Sequence, residues 1–169
     1  MPVNIEVKAR VRDFHVLRQI AEKLTDTPCQ VIAQEDTFFN CNNGRLKLRE
    51  LSPVWGQLVY YQRQDISGPK RSDYQIYETS TPEQLKKLLT DAYGVRGVVT
   101  KCRYLYMVGQ TRIHLDQVQG LGDFMELEVV LQPGQSDADG EAIAMNLMES
   151  LGIEAQDLID TAYIDLIEK

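Results

Sequence analysis

Residues 110–131 read QTRIHLDQVQGLGDFMELEVVL, two short segments that flank a turn at residues 120–123. In both segments charged or polar side chains occupy every second position, with mostly apolar side chains between them. These positions are Arg112, His114, Asp116, Glu126 and Glu128. Because successive side chains of a β-strand point to opposite faces, the stretch predicts an antiparallel hairpin with one charged face and one apolar face.

Further strands and helices are predicted along the rest of the chain from the same kind of periodicity. The predicted strands are Val3–Arg12, Gln30–Asn40, Arg45–Glu50, Gln57–Gln64, Tyr74–Thr79, Val98–Tyr106, Gln110–Val118 and Phe124–Leu131. The predicted helices run from about Phe14 to Leu24, Pro82 to Tyr93, Glu141 to Leu151 and Asp157 to Ile167. We expect residues 1–169 to form one α+β domain, an antiparallel eight-stranded β-barrel or tunnel with flanking helices.

The charged strand faces indicate where the chemistry lies. For any single strand, a solvated face is the simpler interpretation, since antiparallel sheets often have water on one side. Together the faces are unusual, because the positions on these polar strand faces are nearly all charged. The opposite faces are apolar and need to be covered, which the apolar sides of the predicted helices can do. If the helices pack outside a closed sheet, the charges point inward. Burying so many cations is costly unless an anion compensates them.

The residue types suggest which anion. Arginine and lysine on converging strands bind phosphate groups, and carboxylates among them suit Mg²⁺ or Mn²⁺ shared with phosphate oxygens. A polyphosphate chain with divalent ions would neutralise both sets. No glycine-rich phosphate loop is present, so binding would depend on side chains.

Five ordered segments resemble the CYTH family of triphosphate tunnel enzymes, which includes class IV adenylate cyclases and thiamine triphosphatases. They are NIEVK at 4–8, in place of the family's ExExK, GRLKLR at 44–49, YYQR at 60–63, KCR at 101–103 and HLDQVQGLGDFMELE at 114–128. GPKRSDY at 68–74 and the stretch ending GLGDFME resemble most the class IV cyclase branch. The resemblance extends from about Val3 to Tyr163.

The resemblance implies a charged antiparallel tunnel and a set of functional residues. The candidates for holding the triphosphate are Lys8, Arg10, Arg45, Lys47, Arg49, Arg63, Lys70, Arg71, Lys101, Arg103 and Arg112. The candidate metal ligands are Glu6, Asp116, Glu126 and Glu128, and the candidate catalytic residues are Glu6, Lys8 and Arg103. Asn4 replaces the first acid of ExExK, so one metal site would lose a charge. A homodimer is implied by the cyclase branch.

Composition excludes several classes of protein. The 169 residues carry a net charge of −7, which argues against coating nucleic acid or an anionic membrane. No apolar run approaches a membrane span, and residues 1–10 lack the apolar core of a signal peptide. The cysteines are Cys29, Cys41 and Cys102, an odd number without a CxxC pair, which favours a reducing cytoplasm.

Several functions remain open from the sequence. The expected one is a metal-dependent enzyme acting on ATP, thiamine triphosphate or tripolyphosphate, as a cyclase or a phosphohydrolase. In a cyclase, Lys70 and Arg71 would form a loop that closes over the nucleotide, unless they belong to a solvated hairpin tip. The alternative, prompted by Asn4, is a non-catalytic polyphosphate or nucleotide binder. A single-stranded nucleic-acid module is disfavoured by the net charge and the inward carboxylates.

Overall fold

A computed structural model describes residues 2–168, and within that range eight antiparallel strands close into a barrel accompanied by four α-helices. The strands are β1 (Val3–Arg10), β2 (Gln30–Phe39), β3 (Arg45–Ser52), β4 (Trp55–Arg63), β5 (Lys70–Thr79), β6 (Val95–Val108), β7 (Thr111–Val118) and β8 (Gly122–Val130). The helices are α1 (Phe14–Leu24), α2 (Pro82–Tyr93), α3 (Asp137–Leu151) and α4 (Tyr163–Ile167). The order around the barrel is β1-β5-β4-β3-β2-β6-β7-β8, and β8 pairs with β1. The predicted α+β barrel is confirmed.

The hydrophobic core lies outside the barrel wall, between the strands and the helices. Val7 of β1 and Leu115 of β7 are buried in one cluster with Leu17 of α1 and Ala144 of α3. A smaller cluster under α2 consists of Phe39, Leu48 and Leu89. Because side chains alternate along a strand, burying the apolar residues outside turns their charged neighbours toward the barrel interior.

Two predicted boundaries are wrong in ways that affect function. Strand β5 begins at Lys70 instead of Tyr74, because backbone pairing with β1 sets Lys70 opposite Glu6 and Arg71 opposite Ile5. The predicted closing loop is therefore part of the barrel wall. Helix α3 begins at Asp137, since Ser136 accepts a hydrogen bond from the Asp139 backbone N–H and Asp139 reciprocates.

Helix α4 covers one end of the barrel. Its Tyr163 and Ile164 are buried with Phe38 of β2 and Val99 of β6. A Cβ atom at Gly97 would collide with the side chain of Ile164, so glycine makes room for the helix at this point of β6. The predicted last helix is in fact a 3₁₀ turn at Ala155–Asp157 followed by α4.

None of the helices in the described part of the chain has the length and apolar character needed to cross a bilayer.

We expect Gly140→Ala in α3 to destabilise the protein. A Cβ atom there would lie 2.5 Å from Ile5 Cγ1 and 2.7 Å from Leu131 Cδ2, where α3 packs on β1. Overpacking of this kind costs about 1–3 kcal/mol, which exceeds the ~1 kcal/mol that alanine gains in helix propensity. Urea unfolding measures the change.

The matched control is Met145→Ala, an exposed position of the same helix, which should shift the unfolding free energy by less than about 0.5 kcal/mol. A Gly140→Ala protein more stable than the wild type would contradict the close packing of α3.

Candidate active site

The inward faces of the eight strands surround a cavity of about 590 Å³. Within residues 2–168, the cations that line it are Lys8, Lys47, Arg49, Arg63, Lys101, Arg103 and Arg112. The carboxylates that line it are Glu6, Asp36, Glu126 and Glu128. With Asp116, which is buried directly behind the lining on Arg103 and Lys101, five carboxylates face these seven cations, so two positive charges are in excess when all seven cations are protonated. Such an excess in a region shielded from water favours the binding of an anion.

The centre of the cavity is crossed by ion pairs between neighbouring strands. Lys8 Nζ lies 3.3 Å from Glu126 Oε1, and the register of β1 and β8 sets these residues opposite each other. Arg103 Nη2 lies 3.6 Å from the second oxygen of Glu126. Glu126 thus bridges two cations contributed by different strands.

Asp116 is fully buried behind this layer and does not line the cavity. Arg103 donates to both of its carboxylate oxygens at 2.7 Å, and the Tyr163 hydroxyl donates to Oδ2 at 3.0 Å. Lys101 Nζ lies 3.3 Å from the same oxygen. Although burial would raise the pKa of Asp116, these cations hold it below its usual range. The structure therefore gives Asp116 the role of a support for Arg103 and Lys101, in place of the expected metal ligation.

Three other groups form the best-placed candidate metal centre. Ligand atoms of His114, Glu126 and Glu128 all lie within 4.8 Å of one another. His114 Nδ1 is buried 3.3 Å from Glu128 Oε1, yet it has no well-formed hydrogen bond within the described residues. Two carboxylates and an imidazole suit Mn²⁺, and Mg²⁺ would use the carboxylate oxygens alone. The donor set therefore fits the expected divalent ion, with His114 as an addition to the predicted ligands.

Glu6 faces these carboxylates from the next strand. It is paired with Arg63, whose Nη1 lies 3.2 Å from Glu6 Oε2. Burial and the nearby Glu128 raise the pKa of Glu6 above its ordinary value despite Arg63. A divalent cation beside Glu6 and Glu128 would remove that repulsion, which supports Glu6 as a further ligand.

Asn4 lies on the same face of β1 as Glu6 and also lines the cavity. It is only 3% exposed, and its Oδ1 has no hydrogen-bond partner among the described residues. A buried amide oxygen without a partner costs free energy until a donor or a cation reaches it. Asn4 thus keeps an oxygen ligand at the position where ExExK has a carboxylate.

Three cations of the lining would gain from an additional anion. Nε and Nη2 of Arg63 are buried without partners in the described part of the structure. Lys47 is 3.9 Å from its nearest carboxylate, Asp36, and burial together with the adjacent Arg49 lowers the pKa of Lys47 to about 7. Burial likewise lowers the pKa of Lys8 to about 8 in spite of Glu126. Phosphate oxygens would satisfy these groups.

Four of the predicted phosphate ligands lie outside the cavity. Arg10 is exposed at the end of β1, beside the ring of Phe124. Arg45 binds Asp65 and Asp165, each at 3.0 Å, near α4.

The other two predicted ligands in this group belong to β5. Lys70 donates to the Ile66 carbonyl at 2.8 Å. Arg71 pairs with Asp73 and Asp137 on the outer surface. Acidic neighbours hold Arg71 and Arg45 away from the cavity, whereas Lys70 is buried on the same face of β5 as the cavity-lining Ser72 and is held by a backbone carbonyl.

Two residues of the cavity were missed by the sequence interpretation. Asp36 accepts two hydrogen bonds from Arg49, at 2.9 and 3.1 Å, and supports it as Asp116 supports Arg103. Its neighbour Glu35 is exposed. Because residues 35 and 36 are both acidic, the sequence pattern did not indicate which of the two faces the cavity. Tyr163 reaches the cavity only because α4 folds back over the barrel, with Lys8 Nζ 3.8 Å from the ring centre.

Comparisons with known proteins agree with this architecture. The sequence model of the CYTH domain family matches residues 3–163. The PH1012 protein of Pyrococcus horikoshii has a similar structure, with a TM-score of 0.84 and 25% identity over 96% of this chain and 98% of that one. A search of curated protein sequences found no significant match.

Two less similar structures share the fold. One is a candidate adenylate cyclase from Vibrio parahaemolyticus, with a TM-score of 0.80 and 18% identity over 98% of both chains. The other is a candidate adenylyl cyclase from Hippeastrum, described as having a dominant triphosphatase activity, with a TM-score of 0.62 and 15% identity over 96% of this chain and 91% of that one.

The stabilisation that Asp116 provides to Arg103 and Lys101 can be measured as a free energy of unfolding. We expect Asp116→Asn to lower the free energy of unfolding by about 3–5 kcal/mol, because it leaves buried cations without their shared anion. Urea denaturation gives the value. Asp123→Asn, at the start of β8, is the control and should change stability by less than about 0.5 kcal/mol. Equal effects of the two substitutions would show that Asp116 has no special role.

The lowered pKa of Lys47 predicts how anion binding depends on pH. The free site loses the Lys47 proton as pH rises through about 7, whereas bound phosphate would keep it. Affinity for tripolyphosphate should therefore fall by up to about tenfold per pH unit above that point. Isothermal titration calorimetry from pH 6 to pH 9 measures it.

Lys47→Arg is the control, because arginine keeps its charge throughout this range. In that variant the fall should begin only near pH 8, where Lys8 titrates. Identical pH profiles for the wild type and the variant would refute the assignment of Lys47.

Proposed function

The chain belongs to the CYTH domain family, and from this premise we propose that it is a divalent-metal-dependent triphosphatase that binds its substrate inside the barrel. The observation that carries the proposal is the excess of cations over carboxylates in and directly behind the lining of the barrel cavity. Buried cations with unused donors, above all Arg63, lose stability unless an anion reaches them. A triphosphate is an anion of sufficient charge and length to contact several of them at once.

The residues divide into phosphate ligands and metal ligands. We assign the phosphate groups to the cations that line the cavity, Lys8, Lys47, Arg49, Arg63, Lys101, Arg103 and Arg112. We assign a Mg²⁺ or Mn²⁺ ion to His114, Glu126 and Glu128, with Glu6 and Asn4 within the same wall. A bound ion of this kind supplies charge neutralisation at the phosphate oxygens.

Catalysis by this site depends on position and charge. Arg103 is fixed by Asp116, and Lys8 by Glu126, so both cations are oriented before the substrate enters. They stabilise the negative charge that develops on the phosphate oxygens as the bond to the terminal phosphate breaks. Glu6 or Glu128 orients the water that attacks the terminal phosphorus. The products are orthophosphate and the diphosphate.

Hydrolysis is favoured over cyclisation by the position of β5. Cyclisation requires the ribose 3′-hydroxyl to attack the α-phosphate, and the sequence offered Lys70 and Arg71 as the loop that would close over the nucleotide. Both residues instead lie in β5: Arg71 pairs with Asp137 on the outer surface, and Lys70 is buried in the wall with its Nζ on the Ile66 carbonyl. The Hippeastrum structure, described as having a dominant triphosphatase activity, supports the same choice on the level of the shared fold.

Location and assembly stay predictions. All three cysteines are free in the structure, which is compatible with the expected reducing cytoplasm. The homodimer inferred from the cyclase branch is a prediction that size-exclusion chromatography with light scattering would test.

The activity itself is tested with ATP, thiamine triphosphate and inorganic tripolyphosphate in the presence of Mg²⁺ or Mn²⁺. Release of orthophosphate from at least one of them is the expected result. Formation of pyrophosphate and cyclic AMP from ATP would replace the triphosphatase with a cyclase. Tight binding without turnover would identify a non-catalytic binder, and recovery of activity in Asn4→Glu would then explain it.

A matched pair of variants on β1 locates the activity in the cavity. We expect Lys8→Ala to reduce kcat/KM by about 10- to 100-fold, the effect of losing one charged hydrogen bond. Arg10→Ala, on the same face of the strand but outside the cavity, should stay within about twofold of the wild type. Equal losses in the two variants would contradict the cavity as the site.

A further inference from the structure

The cavity has an apolar rim at the end opposite α4. Four apolar side chains on the inward strand faces line it there, namely Leu51, Trp55, Ile76 and Leu105. The strand register sets them at one end, since Trp55 pairs with Ser52, beside Leu51, and Leu105 pairs with Gln30 at the start of β2. Two of them are well exposed, Trp55 at 48% and Ile76 at 50%.

The change from charged to apolar occurs between successive inward positions of β3 and β6. Arg49 is followed on the same face by Leu51, and Arg103 by Leu105. Residues two apart along a strand are separated by about 6.6 Å. An organic group joined directly to a triphosphate therefore reaches the rim while its phosphates contact the arginines.

The backbone on both sides of Trp55 is fixed by local contacts. Trp55 follows the tight turn at Pro53-Val54, where the Val54 N–H donates to Ser52 Oγ at 3.2 Å. Its neighbour Gly56 lies so close to Pro82 of α2 that a Cβ atom would be 2.7 Å from the proline ring. Trp55 belongs to none of the three hydrophobic clusters formed by the described residues. A half-exposed indole outside the hydrophobic clusters is suited to contact a ligand.

The rim also offers hydrogen-bonding groups beside the indole. Gln30 and Gln57 line the same end of the cavity, and Gln57 Nε2 donates to Glu78 Oε1 at 3.3 Å. An amide side chain next to an aromatic face fits a ring that carries nitrogen donors and acceptors on its edge. Inorganic tripolyphosphate has nothing to occupy these groups.

We propose that the rim selects triphosphate esters bearing an aromatic heterocycle and that Trp55 stacks on this ring, so that inorganic tripolyphosphate is the poorer substrate. This inference rests on the proposed triphosphatase function and names its substrate class. Trp55 is the specificity-determining residue, and the charged interior supplies the phosphate affinity common to all triphosphates.

Trp55 is the single tryptophan of the chain, so the tryptophan fluorescence of the protein measures the contact between Trp55 and a ligand. In metal-free buffer, ATP and thiamine triphosphate should quench its fluorescence, excited at the red edge where the ligand rings do not absorb. Tripolyphosphate, whose binding is followed by calorimetry, should leave the emission essentially unchanged. Equal quenching by tripolyphosphate, or no quenching by any bound organic triphosphate, would overturn the stacking contact.

Kinetics separate specificity from phosphate binding. Stacking on an aromatic side chain contributes about 1–3 kcal/mol, so Trp55→Ala should raise KM for the organic substrate by about 5- to 150-fold. Trp55→Phe should restore most of the affinity. KM for tripolyphosphate should change by less than about twofold in both variants. Tyr77→Ala, an exposed residue next to Ile76 on the other face of β5, is the control and should behave as the wild type.

The outcomes distinguish the inference from the function on which it rests. Two results together would overturn the substrate class and leave the triphosphatase intact: the wild type hydrolyses tripolyphosphate in preference to both organic substrates, and Trp55→Ala remains active on all three. Failure of the wild type to bind any triphosphate would overturn both. Thermal unfolding of Trp55→Ala, expected within a few degrees of the wild type, excludes misfolding as the cause of a raised KM.

Discussion

Seven cations enclosed by one barrel wall repel each other, and the structure is organised around the compensation of that repulsion. Carboxylates divide the cations into small groups, and each group is shared between two or more strands. Glu126 joins Lys8 to Arg103, and Asp36 joins Arg49 to Lys47. The remaining positive charge is left for a ligand. The position of the hydrophobic core follows from the same requirement, because an interior reserved for charge moves the apolar packing to the outside, beneath α1, α2 and α3.

The carboxylates of the cavity serve two different purposes. Asp36 and Asp116 are buried and each accepts two hydrogen bonds from one guanidinium group, so they fix an arginine and have little freedom to bind anything else. Glu126 and Glu128 retain access to the cavity beside His114, and Glu6 carries a raised pKa beside them. The short aspartates hold the wall, whereas the longer glutamates reach inward, where they can meet a cation.

The fold and most of the cavity were predictable from the sequence, because strand alternation assigns a face to each charged residue. Lys8, Lys47 and Arg103 lie where the period of two places them. Alternation carries no information on where a strand reaches the end of the barrel, and for that reason it did not show that Arg10 and Arg45 lie outside the cavity. It also does not reveal tertiary partners. The role of Asp116 depends on Tyr163, which lies 47 positions away in the sequence.

The position of α4 has a consequence for the order of events in the barrel. The helix covers one end, and the apolar rim surrounds the other, so a linear ligand enters and leaves through the same opening. A molecule that enters with its phosphate end first keeps its terminal group deepest. On the proposed function, a phosphate released there would lie behind the fragment that contacts the rim. The shape of the barrel would then favour departure of the organic diphosphate before the orthophosphate.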